Sequence, residues 1–452
     1  MNRFAIIFML LMILCSFVIS AKAQQQNRIS LFPVWNAQGK EGFIDLYGKV
    51  IIEPVRGEVT AFSEGLAAVN VNGKWGFIDA AGKLVIKPQF HAAFSFSDGV
   101  AAVYEAGEPP RKCGYINGTG QFVIKPQSAF SCRAFNEGFA VVDVYNEQAG
   151  ESLSGYINKK GEIAIGGSFA LAENFSEGLA RVDDFNNTYF INKEGERVID
   201  LSRYGGTDTL SDEYDPAGSF SEGLAEVGIK IYSRYGYARY GFVNKKGKVV
   251  FELPEEFTVE GMFRKGRALV LRRTTQKVKV RLADGEIIKM NVEVAVYGYI
   301  DRTGKLIIKP RFSDAMDFSD GLAVVEIGKS NPSNRRDLAG SAVESAFNEA
   351  DRKAWACIDR AGRVVIKKCG APLSQDEIKQ KFSGYGEGFG QGFVNGLFFN
   401  EIVLGDENQT QKVFGYMNKQ GKYVWLTPEA KKVLSAVWLK ENFIGPTLSS
   451  NK

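Results

Sequence analysis

Along most of this chain the apolar residues come in short bursts, each closed by a Gly set beside a polar residue. That is the pattern of short strands joined by tight turns. One burst recurs as a tetrapeptide: Gly, an aromatic, Ile or Val, then Asp or Asn. It stands at Gly42, Gly76, Gly114, Gly155, Gly241, Gly298 and Gly415, with degraded copies at Tyr189 and Ala356. A Gly-basic pair follows three residues later, as in Gly82-Lys83, and then a returning apolar run that often ends in Lys-Pro, as in Val85-Ile86-Lys87-Pro88. The Asp or Asn caps the turn, Gly takes the positive-φ position, and Pro88, having no N–H, is expected to stop pairing.

A second motif lies between the tetrapeptides. Phe62-Ser63-Glu64-Gly65-Leu66-Ala67 recurs at Phe96, Phe135, Phe175, Phe220 and Phe318, with a worn copy at Phe263. It predicts a further turn and a third strand, Leu66 to Val71. The repeat therefore reads as a three-stranded antiparallel meander, ordered tetrapeptide strand, returning strand, Leu-Ala strand. A unit this small is marginal alone, so neighbouring copies must stack to bury their aromatic faces.

The run Asn72-Gly73-Lys74-Trp75-Gly76-Phe77-Ile78-Asp79, with the two flanking motifs, resembles the bacterial WG (KWG) repeat family. The resemblance runs from about Phe32 to Leu426 and implies a β-rich repeat array, with no activity common to the family. The chain departs from the pattern at the Trp that names it. Only Trp75 and Trp355 precede a tetrapeptide; Tyr240, Tyr297 and Phe414 stand there in other copies, as do Glu41, Cys113, Ser154 and Thr188.

Successive tetrapeptides are 34, 38, 41, 34, 52, 57, 58 and 59 residues apart. The later copies thus carry insertions, near 201–218, 271–296, 333–353 and 373–396. The second reads as a protruding hairpin with Arg272, Arg273, Lys277, Lys279 and Arg281 on one arm; the third reads as helical; a capping box at Ser374 to Glu377 starts a short helix in the fourth. Thr427-Pro428-Glu429 opens a terminal helix to about Lys440, placed to cap the open end of the array. Irregular spacing favours an open, curved β-solenoid, with propeller-like closure as the alternative. The fold expected is all-β: a tandem array of about nine three-stranded meanders over residues 24–426, short helical insertions, and a C-terminal helical cap and tail over 427–452.

The first residues change the picture of where the chain works. Arg3, an apolar run from Phe4 to Ser20 and Ala21-Lys22-Ala23 follow the order of a cleaved secretory signal, residues 1–23, so export to the periplasm, the cell surface or the medium is expected. No membrane span is expected after cleavage. The mature chain would carry 54 basic and 52 acidic side chains, a near-neutral balance that gives no pull toward nucleic acid. Four cysteines would remain, and their spacing allows two local disulfides, Cys113–Cys132 and Cys357–Cys369, against four free thiols.

Catalytic chemistry is sparse. The one histidine, His91, lies in a linker, and no P-loop, C-x-x-C or dinucleotide fingerprint is present. Gly384 to Gly396 reads as a worn turn, not a phosphate cradle. The repeated acids Glu64, Asp98, Glu137, Glu177, Glu222 and Asp320 read as turn residues, and otherwise as a Ca²⁺ ladder or a paired-carboxylate site. Trp75, Tyr240, Tyr297 and Trp355 are candidate ligand-facing aromatics, with core packing the competing role. No cofactor or metal is expected. The function expected is an exported binding or scaffolding module for a protein or glycan of the envelope, with no enzymatic activity. A polysaccharide hydrolase and a passive envelope component are the alternatives. Asp208-Thr209-Leu210 resembles an O-glycosylation acceptor tripeptide of some Gram-negative bacteria.

Overall fold

A computed structural model describes residues 30–105, 107, 112–127, 132–146, 151–201, 218–232, 237–281, 287–327, 354–373, 393–404 and 411–446. The expected signal at residues 1–23, the bodies of the insertions after 201, 333 and 373, the capping box at Ser374 and the tripeptide at Asp208 lie outside them.

The described strands form nine small antiparallel sheets of three or four strands each, here blades 1 to 9 in chain order: 32–56, 66–90, 92–127, 139–169, 171–200, 224–252, 257–312, 314–366 and 397–426. Blade 2 shows the plan. Leu66–Val71 pairs with Lys74–Asp79, which pairs with Leu84–Phe90. The Leu-Ala strand thus opens a blade and pairs with the tetrapeptide strand that follows it, which corrects the phase of the meander. The reason is local. Asn72 and Gly73 take φ of 54° and 79°, the two positive values of a tight I′ turn between those strands. In blades 3, 5, 7 and 8 a short lead strand, such as Ala92–Ala93, adds to the open edge of the Leu-Ala strand.

Pro88 does not end its strand. It lies inside Leu84–Phe90, where pairing jumps from Phe77↔Ile86 to Trp75↔Phe90 across a bulge. The bulge presses the strand against the tetrapeptide Gly. A Cβ on Gly42, Gly76, Gly114 or Gly298 would stand 2.6, 2.7, 2.9 or 2.7 Å from the nitrogen of Pro54, Pro88, Pro126 or Pro310. Where the strand carries this Pro, in blades 1, 2, 3 and 7, the tetrapeptide Gly is the residue that makes room for it; Gly155, Gly241 and Gly415 stand opposite strands without it. In blade 5, where Tyr189 replaces the Gly, the pairs Tyr189↔Asp200 and Phe190↔Ile199 run without that bulge. The Lys-Pro strand is also the sheet's edge, where Lys and Pro discourage pairing with another chain.

The core consists of nine clusters, each built from the facing sides of two consecutive blades. Phe43 and Ile52 of blade 1 meet Ala67, Val69 and Ile78 of blade 2; Ala68, Phe77 and Ile86 of blade 2 meet Ala101, Val103 and Ile116 of blade 3. The ninth cluster joins Phe399, Tyr416 and Trp425 of blade 9 to Phe32, Val34 and Ile44 of blade 1. The ring is closed: the architecture is a nine-bladed propeller, the alternative among the two arrangements, and not an open solenoid. Unequal spacing does not prevent closure because the extra residues leave the blades as loops and leave the interfaces alike. In every interface the turn Gly of one blade packs on the preceding blade: Gly82 on Ile52, Gly120 on Ile86, Gly161 on Ile124, and so on to Gly421 on Ile366, then Gly48 on the Val424 carbonyl.

Closure also explains how the first blade is finished. Tyr115, Tyr156 and Tyr299 donate their hydroxyls to lead-segment carbonyls of the next blade, those of Arg133, Glu173 and Met316, at 2.8, 2.6 and 2.7 Å. Blade 1 has no described lead strand. Its Phe32–Trp35 strand carries Pro33 where blade 2 has Ala68, whose N–H faces the lead segment. Tyr416 of blade 9 donates to the Pro33 carbonyl at 2.9 Å. Pro33 removes the donor and Tyr416 takes the acceptor, so this edge is finished without a fourth strand. The chain ends in two short helices, α1 (Pro428–Val433) and α2 (Ala436–Asn442). The Thr427 side chain accepts from Ala430 N at the start of α1. With no open end to cap, the segment covers the outer edge of blade 9: Phe443 bridges Tyr423 in parallel and Ile444 N donates to Tyr423 O at 2.9 Å.

Candidate binding faces

Strand direction sorts every connection onto one of two faces. The Phe-Ser-Glu-Gly turns and the Asp-x-x-Gly-Lys turns lie together at one end of the blades, here the turn face. The hairpins from Leu-Ala strand to tetrapeptide strand, and the exits of the Lys-Pro strands, lie at the other. All four insertions leave from that second end. The connections after Leu201 and Leu373 begin where a Lys-Pro strand has run out, and the segments between Leu271 and Val296 and after Ile327 join a Leu-Ala strand to its tetrapeptide strand. One face carries nearly all of the variation and the other is nearly uniform.

On the insertion face, blade 7 extends into a two-stranded ribbon. Ala268–Arg281 pairs without a break with Ile287–Ile300, from Ala268↔Ile300 to Arg281↔Ile287. Arg272, Arg273 and Lys277 are exposed along its stem, and Val294 and Val296 are buried. The Lys279 and Arg281 side chains and the tip lie outside the described residues.

The four singled-out aromatics are not brought together. Each is half-buried against its own interface: Trp75 between blades 2 and 3, Tyr240 between 6 and 7, Tyr297 between 7 and 8, Trp355 between 8 and 9. In blade 1 their position holds Glu41, whose Oε2 accepts from Val59 N at 2.8 Å; burial pushes its carboxyl up to about 7. The cysteines pair within and between blades. Cys113 bonds Cys132, joining blade 3 to the lead segment of blade 4, and Cys357 bonds Cys369 inside blade 8, with Cα–Cα distances of 6.1 and 5.5 Å. Cys357 occupies the aromatic position of its tetrapeptide and faces blade 9. Replacing Cys113 and Cys132 by serine is expected to cost about 3 kcal/mol in a denaturant titration, from the loop they close; an unchanged midpoint would show that the bond adds nothing.

On the turn face the repeated acids have one role in common. Each adopts positive φ itself, 52° to 57°, followed by a positive-φ Gly. That geometry aims the carboxylate at the next blade. Glu64, Asp98, Glu137, Glu177, Glu222 and Asp320 accept from the N–H of Gly99, Gly138, Gly178, Gly223, Gly266 and Gly396 at 2.9, 2.5, 2.9, 2.9, 2.8 and 2.6 Å. In five of these turns, all but that of Glu137, the adjoining Ser donates to the next Phe carbonyl, as Ser63 does to Phe96 at 2.6 Å. A lysine from the next blade completes the link: Lys193 to Glu137 and Lys245 to Glu177 at 3.1 Å, Lys419 to Asp320 at 3.8 Å. For Glu137, burial pushes the carboxyl up but Lys193 and the Gly178 N–H outweigh it, and the group is held below the ordinary range. These acids are spaced one per blade and committed to neighbours. They form no paired-carboxylate cleft, and among the described residues no group of acids, histidines or cysteines is arranged to hold a metal.

Sequence reasoning missed another acidic group. Glu226 stands where other copies have Ala68, Ala102, Val141, Leu269 or Val324, the side facing the next blade. Burial, then the like charge of Glu260, pushes its carboxyl up to about 8. Burial, then Glu260 and Asp314, pushes the Tyr297 hydroxyl up to about 12, with Arg273 acting against them. The signal was an acid at a position that is apolar in every other copy except blade 5, which has Arg181 there. His91 is exposed on a linker, and only its backbone N–H is engaged, with the Tyr104 carbonyl at 2.9 Å.

Among the described residues no helix is long and apolar enough to cross a membrane. No curated protein matches the chain. Solved structures with similarity include a eukaryotic initiation factor, 10% identical, covering 75% of this chain and 95% of that one at a TM-score of 0.36. Another is the extracellular domain assigned to a hybrid two-component system of B. thetaiotaomicron, 9% identical, covering 90% of this chain and 58% of that one at 0.22. A third is Hsv2 of Kluyvelomyces marxianus, 11% identical, covering 59% and 88% at 0.24. Similarity this low says nothing of function. The model of the WG containing repeat matches at residues 42–75, 75–107, 114–146, 155–189, 240–272 and 297–329. Six matched copies, each holding a tetrapeptide strand, make this chain a member of the WG-repeat family.

Proposed function

We propose that the protein is an exported binding or scaffolding module, not an enzyme, and that it engages a protein or glycan of the cell envelope through its insertion face. The observation that carries this reading is the sorting of insertions: all leave from one end of the blades, while the other end is occupied by links that hold the ring. Repeat scaffolds commonly place their variable loops on the binding face. The signal-like segment at residues 1–23 supports export. The alternative, a polysaccharide hydrolase, draws no support from the repeated acids, since each is taken by the next blade.

The test is a crosslinking pull-down from the envelope fraction, read by mass spectrometry for proteins and glycans. The paired variant replaces residues 275–293 by an Asn-Gly turn, which keeps the pairs Ala268↔Ile300 to Thr274↔Val294 and so leaves blade 7 intact. One dominant partner, lost in the variant, is the expected result. Replicates that enrich no partner would sink the binding reading.

A further inference from the structure

We propose that the turn face carries an oxyanion-binding site between blades 7 and 8, taking a phosphate or similar tetrahedral anion. The argument comes from the link that is missing there. At six interfaces a carboxylate accepts a Gly N–H of the next blade. The turn of blade 7 reads Phe263-Arg264-Lys265-Gly266-Arg267 in place of Phe-Ser-Glu-Gly-Leu. Lys265 keeps the conformation of the acids, with φ 52°, followed by Gly266 at 74°. The backbone is unchanged; the charge is reversed.

The other parts of the link remain. Arg360 of blade 8 holds the place of the pairing lysines, one residue after its tetrapeptide, as Lys193, Lys245 and Lys419 do. Its guanidinium reaches over Gly266, with Nη2 3.1 Å from the position a Cβ would take. Among the described residues no acid pairs with it. Gly321 holds the place of the donating glycines, with φ 84° and open space on its Cβ side. Gly321 N–H has no carboxylate to meet, since Lys265 stands where an acid would. Two cations and an amide donor thus hold the places that at the other interfaces belong to an acid, its pairing lysine and the N–H that the acid accepts from. Like charges so placed repel, and an oxyanion bound between them removes the repulsion and satisfies the amide.

The surroundings strengthen the case. Arg267 donates through Nη1 to Gly266 O at 2.8 Å and through Nη2 to Arg360 O at 3.3 Å, while its Nε is buried without a partner. Of the nearby charges, Arg264 pairs with Asp317 at 3.2 Å and Arg363 with Asp359 at 2.6 Å. Glu222 is engaged by Gly266 N–H. Asp301 is held below the ordinary range by the Thr303 hydroxyl, by backbone N–H groups of its own turn and by the charge of Arg267. Lys265 and Arg360 are left as cations that no acid pairs with among the described residues.

The test uses the full chain and inorganic phosphate, titrated at constant ionic strength with thermal unfolding as the readout. A bound anion raises the unfolding temperature in a saturable way. The decisive variant is Lys265→Glu, which restores the acid of the other links. It is expected to unfold at a higher temperature than wild type without phosphate, and to bind phosphate about tenfold more weakly or worse. Arg360→Gln should also weaken binding while keeping the fold. No saturable rise for wild type with phosphate or sulfate would overturn the site, and so would a Lys265→Glu response equal to wild type. Sedimentation with phosphatidylglycerol vesicles then separates the sources: wild type co-sedimenting and Lys265→Glu remaining in solution assigns a lipid headgroup, and neither co-sedimenting assigns a soluble or glycan-borne phosphate.

Discussion

Gly76→Ala is expected to destabilise the protein by about 3 kcal/mol or more, read as a fall in the denaturant midpoint at unchanged slope. The new methyl carbon would lie 2.7 Å from Pro88 N and 2.9 Å from the Lys87 carbonyl carbon. Both are backbone atoms of a bulged strand, so no side chain can swing aside, and relief requires the bulge to move. The bulge holds Phe90 opposite Trp75 and Ile86 opposite Phe77, and Phe77, Ile86 and Phe90 are core of the interface with blade 3. Its shift would therefore loosen two blades. The control is Ala356→Gly in blade 8, whose strand continues Lys367-Lys368-Cys369 without a Pro. There the change should cost only the about 0.5–1 kcal/mol of added backbone freedom. Equal effects at the two positions would refute the pairing of Gly with Lys-Pro.

The second large effect is on the pH dependence of stability. Glu226 is held up to about 8 by burial and by Glu260, whereas in the unfolded chain it titrates near the ordinary 4.5. The folded state thus binds the proton more tightly. Its contribution to stability is complete below the unfolded value and is lost as pH rises through about 8. Wild type should be less stable at pH 9 than at pH 5 by a few kcal/mol from this group. Glu226→Gln keeps the shape and removes the charge, and is expected to flatten that slope and raise the midpoint at pH 9. Glu41, held up to about 7, adds a smaller fall in the same direction. On the acid side the sign reverses. Asp359 is held low by Arg363 and Asp301 by Thr303, so both favour the fold above their ordinary range and lose that as pH falls. A Glu226→Gln profile as steep as wild type between pH 5 and 9 would place the origin of the slope elsewhere.

The repeat, its strands and the number of copies were legible because turn chemistry is local. Asp45 shows why: its Oδ1 accepts from Tyr47 N and Lys49 N, both at 2.9 Å, so the residue and its turn are visible in one short stretch. The phase of the blade was also written there. Asn72-Gly73 is a hairpin signal joining Leu66–Val71 to Lys74–Asp79, and counting each repeat from its tetrapeptide hides it by placing the Leu-Ala strand after the preceding returning strand. Closure was not legible, because its contacts, such as Tyr416 to Pro33, join residues 383 apart. The repeated acids were read as turn residues, and they are; where their carboxylates go depends on a blade 35 to 76 residues further on. Glu226 and Lys265 could have been found by aligning the copies with one another, since Glu226 is the one acid at its position and Lys265 the one cation at its own.

The seam between blades 9 and 1 has a consequence for how the chain can be cut. Every blade is contiguous in sequence, and no described blade borrows a strand from the other end of the chain. The seam is then one interface among nine, held by Phe32, Val34, Tyr416 and Trp425. Circular permutants become the natural engineering route. A linker from the segment after Phe443 to Leu31, with new ends opened between blades 4 and 5, would keep all nine interfaces and both faces while moving the termini to any chosen sector of the ring.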